Sequence, residues 1–347
     1  MIIAVAGAKS PSIKSSITIL CDLDFEKAME YVGCNLGEDN DSSLCDKNVW
    51  DLYCGIGTIS LFLAKNAKHV TGVEIVGLVP KSVIIDAAKY FLRKQQRSVG
   101  IQESELIKIA VKSMGLDELK PFVPEEKIIE YMIEDHSAKK LVDLSCKGFA
   151  EETASESPAP GGGSISAYMG SLAAALGTMV ANLSSHKPGW DARWEFFSEW
   201  ADKGQAMMTN LIHLVDEDTN AFNKIMAVFA MPKGTPEEKA ARAEAMEAAT
   251  LYATQVPLQT MKASYETFGI IRAMAEEGNP NSVSDAGVGA LAARAAVLGA
   301  GLNVKINAAG LKDRATADAL VAEANKLIAD ACRQETEILD IVNGKIN

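Results

Sequence analysis

From about residue 140 to residue 347 the chain carries helical periodicity with no strand pattern, and this narrows its fold more than any other feature. Alanine and methionine are frequent there. Short breaks rich in proline, glycine and asparagine fall at "SPAPGGGS", "SSHKPGW", "MPKGTP", "EEGNPNS" and "NAAGLK". The spacing predicts helices near 140–154, 164–184, 192–230, 236–276, 284–300 and 313–344. Helices this long bury an apolar stripe only against one another, so the expected architecture is a bundle of five or six long elements. Pro257, inside "TQVPLQT", predicts a kink or a break in the fourth.

The first 140 residues read differently. A strand is expected within "SITILCDLDF" and a helix at "FEKAMEYVG". Strand, glycine turn, helix and second strand follow over 49–76. Helical patterning occupies 83–120, and "PEEKIIEYMIED" reads as one short amphipathic helix opened by Pro124. The fold class is therefore mainly α: an all-helical bundle at the C-terminus behind a small, truncated α/β region.

A formal net charge of −12 argues against nucleic acid or an anionic membrane as partner. No uninterrupted apolar run reaches the roughly 18 residues of a membrane span; the nearest candidate, "ISAYMGSLAAALGTMVANL", is broken by Ser, Thr and Asn and reads as a tightly packed helix. The charges of the N-terminus follow its apolar start, the wrong order for a secretory signal. The six cysteines lack CxxC spacing, and the four histidines are isolated, so no metal site is expected. Reduced thiols in a cytoplasmic protein are the expectation.

Three places carry candidate chemistry. In "SPAPGGGSISA" (157–167), Pro160 stiffens a loop whose Gly161, Gly162 and Gly163 permit unusual backbone, and Ser164 suits an N-cap. Bare amides at such a helix start form an anion or polar-ring site, against the alternative of a tight turn. In "NLIHLVDEDTNAFNKIMAVF" (210–229), Leu211, Leu214, Val215, Phe222, Ile225 and Phe229 form an apolar stripe. Asp218 falls at its centre and Asp216 on the opposite face. A carboxylate among apolar neighbours has a raised pKa and suits acid–base work, although a buried structural Asp would look the same. In "GNPNSVSDAGVGALAARAA", Ser284 is the expected N-cap, and Asp285 either complements the helix dipole or lines a ligand cleft. Asn303 and Asn307 offer amides to the same cleft, or serve a helix end.

Beyond these patterns the chain resembles three families in succession. "DLYCGIGTISLFLA", with flanking "EKAMEYVG" and "AKHVTGVEIV", resembles the S-adenosylmethionine motif of RNA uracil-5-methyltransferases over residues 24–76. The later strands, nucleophile loop and terminal base of that family are missing, so S-adenosylmethionine is not expected as a cofactor. From Glu74, "EIVGLVPKSVIIDAAKYFL" and "ELIKIAVKSMGLDELKPFVPEEKIIEYMI" resemble the C-terminal tail of glutamate formimidoyltransferase, without its catalytic region. From residue 140 the chain resembles the formimidoyltetrahydrofolate cyclodeaminase domain, with methenyltetrahydrofolate cyclohydrolases the nearest alternative.

These resemblances imply three segments: 1–76, 77–139 and 140–347. The last implies conversion of 5-formimidoyltetrahydrofolate to 5,10-methenyltetrahydrofolate and ammonia, in histidine degradation and one-carbon metabolism. Asp218 matches the family's essential aspartate, expected to shuttle a proton or attack the carbon, while Asp285 and the glycine loop orient tetrahydrofolate. Arg294 and Lys305 are candidates for the glutamate carboxylates of a polyglutamylated folate. A homodimer or higher assembly is implied, and a folate-binding or channelling module without turnover is the remaining alternative.

Overall fold

The structure is a computed structural model that describes residues 2–7, 17–19, 48–52, 69–73, 78–118, 121–134 and 140–346. The chain divides into two compact units, Met1–Pro80 with Val123–Ile133, and Lys81–Phe122 with Glu134–Asn347. The segment expected at 77–139 is thus shared between them.

In the first unit, β1 (Ile2–Gly7), β2 (Ile17–Ile19), β3 (Asn48–Leu52) and β4 (His69–Val73) form one sheet in the order β2-β1-β3-β4. β1 runs antiparallel to β2 and β3, and β3 pairs in parallel with β4, Asn48 opposite His69 and Leu52 opposite Val73. Parallel pairing requires a crossover between these strands. The expected crossover helix, Cys54, Gly55, Gly57, Glu74, the helix at "FEKAMEYVG" and His136 lie outside the described residues. "PEEKIIEYMIED" forms two short helices, α3 (Pro124–Lys127) and α4 (Ile129–Ile133), rather than one. Ile128 is extended between them and bridges in parallel to Val79.

The second unit opens with α1 (Lys81–Lys94) and α2 (Glu103–Met114) and continues through α5 (Cys146–Thr153). Five long helices follow: α6 (Gly162–Ser185), α7 (Trp194–Phe229), α8 (Pro236–Glu277), α9 (Val283–Ala308) and α10 (Arg314–Ile346). Local chemistry fixes their starts. Before α8, Thr235 and Glu238 form a reciprocal capping box with Pro236 at the first helical position. Asp313 accepts the amides of Ala315 and Thr316 at the head of α10.

Phe197, Met261, Ile270, Ile271, Met274 and Ile338 are fully buried at the centre of the bundle. A second cluster, with Leu211, Leu214, Val215 and Val256, lies where α7 meets α8. α6 is long and apolar enough to cross a membrane, as is the stretch Pro280–Ala308 containing α9, and both pack inside this bundle. α8 runs unbroken through Pro257, so the expected break is absent. The missing proline amide frees the Ala253 carbonyl, which accepts Asn307 Nδ2 from α9 at 2.7 Å.

Candidate functional site

The loop before α6 ends at Gly161, the N-cap, so Ser164 is the third helical residue rather than the cap. The acceptor for this helix start comes from another element. Asp218, in the middle of α7, takes the Ser164 amide on Oδ2 at 2.9 Å. A Cβ on Gly163 would sit 2.0 Å from Asp218 Oδ1, so only glycine lets the carboxylate lie against this turn. The Ser164 hydroxyl donates to the Val215 carbonyl at 2.8 Å and lies 3.2 Å from Asp218 Oδ2.

Burial pushes the Asp218 carboxyl above its ordinary value, against the pull of the Ser164 hydroxyl and amide. The adjacent Glu217 moves the other way. Burial raises it too, but the Tyr252 hydroxyl, the Asn220 amide and the Lys224 cation together hold it below the ordinary carboxylate value. Lys224 also lies 3.5 Å from the Tyr252 ring centroid. Two neighbouring carboxyls with environments that drive them apart are a mark of divided acid–base labour. Glu217 and Tyr252 were not singled out by the sequence, because their pairing joins α7 to α8 across distant positions.

A cavity of about 160 Å³ opens beside Asp218. Gly161, Gly162, Asn303 and Asn307 line it, as expected, together with Thr219, Phe222, Ile225 and Ala253. Pro160 is buried, and Gly163 and Ser164 are buried under Asp218, so these three shape the wall without forming the lining. Asn303 donates to the Gly299 carbonyl at 3.1 Å and packs against Gly162, where an added Cβ would meet its amide at 3.3 Å. Such a volume suits one ring-sized group, since a cavity of about 150 Å³ holds benzene.

Asp285 is not part of this cavity. It stands in the first turn of α9, eighteen residues before Asn303 on a continuous helix, about 27 Å away at about 1.5 Å per residue. Its position is that of an acid on a helix dipole. Ser284 is not the cap either: Ser282 holds that place, after a 3-10 turn. Arg294 faces Glu335 at 3.7 Å, and Lys305 is exposed and does not line the cavity. Asp216 leaves the apolar stripe as expected, and accepts the Leu141 amide at 2.6 Å. The far end of that stripe is open, with Phe222 and Phe229 exposed. His213 is exposed. Among the described residues no group of three or more His, Cys, Asp or Glu side chains is placed to hold a metal.

Residues 145–326 match the family model described as Formiminotransferase-cyclodeaminase. The chain belongs to this family. Residues 44–134 match the Formiminotransferase domain, so that likeness begins upstream of Glu74 and overlaps the methyltransferase-like stretch. Among family members, the formimidoyltransferase-cyclodeaminase of Gallus gallus is 33% identical over 83% of this chain and 54% of its own length. The chain thus spans about half the length of such relatives. The methenyltetrahydrofolate cyclohydrolase of Methylorubrum extorquens is 37% identical over 57% of this chain and 96% of its own. The crystal structure of formiminotetrahydrofolate cyclodeaminase from Thermotoga maritima shares the fold, with a TM-score of 0.53 at 24% identity, covering 60% of this chain and all of that one. The methyltransferase resemblance is partial: an uncharacterized RNA methyltransferase of Clostridium acetobutylicum is 37% identical over 28% of this chain and 22% of its own length.

Proposed function

We propose that the chain converts 5-formimidoyltetrahydrofolate to 5,10-methenyltetrahydrofolate and ammonia. One observation carries the reading: a half-buried carboxyl with a raised pKa, Asp218, on the wall of a ring-sized cavity in a cyclodeaminase-family bundle. Nitrogen-10 attacks the carbon of the formimino group, which is protonated on its nitrogen, forming a carbon–nitrogen bond and a tetrahedral centre. Its proton passes to the Asp218 carboxylate, which returns a proton to the amino group as the second carbon–nitrogen bond breaks. Ammonia leaves, and the cation stays on the methenyl product. A carboxyl that burial holds above its ordinary value suits both transfers.

Ammonia release and methenyl absorbance from the whole chain test this reading. Asp218→Asn should lower kcat by about 10²- to 10⁴-fold. An Asn variant within a few-fold of the parent would sink the assignment of Asp218. A second reading, methenyltetrahydrofolate cyclohydrolase, is favoured by the match to nearly the whole Methylorubrum extorquens protein. Hydrolysis of the methenyl compound without ammonia release would select it. Folate binding with neither turnover would leave a binding or channelling module.

Lys233, Lys239, Arg242 and Lys312 line a separate cavity with Phe229, which follows Phe222 by two turns of α7. These cations suit the carboxylates of a polyglutamyl tail, in place of Arg294 and Lys305. Equal KM for mono- and pentaglutamyl substrates would remove this assignment. Leu172, Met179 and Leu183 on α6, and Val288, Leu291, Leu302 and Ile306 on α9, are exposed and fit a homodimer or higher assembly, for which a monomeric sedimentation mass is the disproof. The free thiols of Cys146 and Cys332 suit a cytoplasmic location, which cell fractionation checks.

A further inference from the structure

Five threonines within the long helices bond to their own helix. Thr178, Thr250, Thr254, Thr260 and Thr336 each donate to the carbonyl four residues back, at 2.7–3.3 Å. Thr219 does not: its hydroxyl oxygen is buried without a partner. The reason lies in the site. The carbonyl four residues back is that of Val215, which the Ser164 hydroxyl occupies at 2.8 Å. With the Thr219 amide as its helical donor, that oxygen has both lone pairs engaged. Building Asp218 onto the start of α6 therefore strips the next residue of its usual acceptor. Thr219 lines the same cavity as Asp218 and Asn303.

A buried, unpartnered hydroxyl costs stability, so its retention beside the candidate acid–base group calls for a partner the protein itself lacks. Threonine has two accessible side-chain rotamers in a helix, and Thr219 stands in the cavity lining, where a bound group can supply the partner. We propose that Thr219 is a substrate-binding residue whose hydroxyl accepts an N–H of the reacting amidine nitrogen, the one that departs as ammonia. This rests on the cyclodeaminase reading above. The protonated formimino group carries two N–H donors; Asp218 accepts one and Thr219 the other. The pair then holds the departing nitrogen in the orientation in which it receives the proton from Asp218, and no bond is made or broken at Thr219.

Steady-state ammonia release by Thr219→Val, Thr219→Ala and Thr219→Ser tests the inference, with melting temperatures measured alongside. Val is isosteric and lacks the hydroxyl, so kcat/KM should fall about 10- to 100-fold, mainly in kcat, while Tm holds or rises. Ala should lose activity similarly, which keeps the test valid if Val disturbs packing. Ser restores the hydroxyl and should stay within about threefold of the parent. Parental kcat/KM in Val and Ala overturns the inference and leaves the cyclodeaminase reading standing. A parent chain that releases no ammonia overturns both.

Discussion

Asp218 and Glu217 are consecutive, yet they point to different surroundings. Glu217 meets a phenol, an amide and a cation, whereas Asp218 meets the start of α6 and the cavity. The raised value of Asp218 fixes the sign of a stability effect. In the folded chain it holds its proton above its ordinary value of 3.8, so its favourable contribution is present below that pH. It is lost as pH rises through the folded value. At neutral pH the buried carboxylate is therefore a liability that Asp218→Asn removes, at the expense of turnover. The variant should melt above the parent at pH 7, by about 2–4 °C per kcal/mol gained, and the gap should close toward pH 4. A gap independent of pH would disprove the linkage. Asp218 was legible in the sequence because helical spacing alone puts it among Leu211, Leu214 and Val215. Asp285 was misplaced because its motif gives no hint that α9 continues to Ala308, carrying the asparagines to the opposite end. Thr219 left no signal at all, since its lost acceptor depends on Ser164 arriving from another helix.

At the scale of elements, Pro257 and Asn307 form a pair. A proline inside a helix exposes one carbonyl, and the chain answers with an amide from α9 at the cavity wall. Asn307→Leu should cost about 1–3 kcal/mol, because the Ala253 carbonyl is left buried without its partner. Pro257→Ala restores the local amide, so in that background the same Leu substitution should cost far less. Denaturant unfolding of the two single variants and the double variant measures this coupling; effects additive within about 0.5 kcal/mol would refute it. The sequence showed the proline and suggested a kink or a break. It could not show a continuous helix, because the compensating donor is distant in sequence. Helix starts, by contrast, were written locally: Thr235-Pro236 with Glu238, and Asp313 with Thr316, specify their ends with neighbouring residues only.

At the scale of the molecule, the unit that holds the cavity also includes α1 and α2, which the sequence assigned to a separate segment. The connection between those helices is built into the bundle. The Val99 amide donates to Ser198 Oγ at 3.0 Å, Asn182 Nδ2 donates to the Gly100 carbonyl at 2.7 Å, and Lys89 pairs with Asp202 at 2.7 Å. Gly100 permits this seating, since a Cβ there would come within 2.1 Å of the Ala201 carbonyl carbon. Nothing in "RSVGIQ" announces a partner a hundred residues later, which is why the sequence alone places these helices in the separate segment 77–139. Because the obstacle is backbone rather than a flexible side chain, the hairpin must shift to admit even one methyl group. Gly100→Ala should therefore cost about 1–3 kcal/mol, by the usual penalty for overpacking. Protease cleavage between α1 and α2 should speed up in step, because the loop leaves its hydrogen bonds before the rest of the bundle opens. Turnover per folded molecule should persist, as the residues lining the cavity stand on α6 to α9 and the loop before them. Calorimetry and limited proteolysis on the whole chain decide between the two views of this hairpin. Unchanged melting and cleavage would mean that α1 and α2 are a passive attachment. Lower melting together with faster cleavage would mean that the bundle depends on them as a fixed part of its own surface.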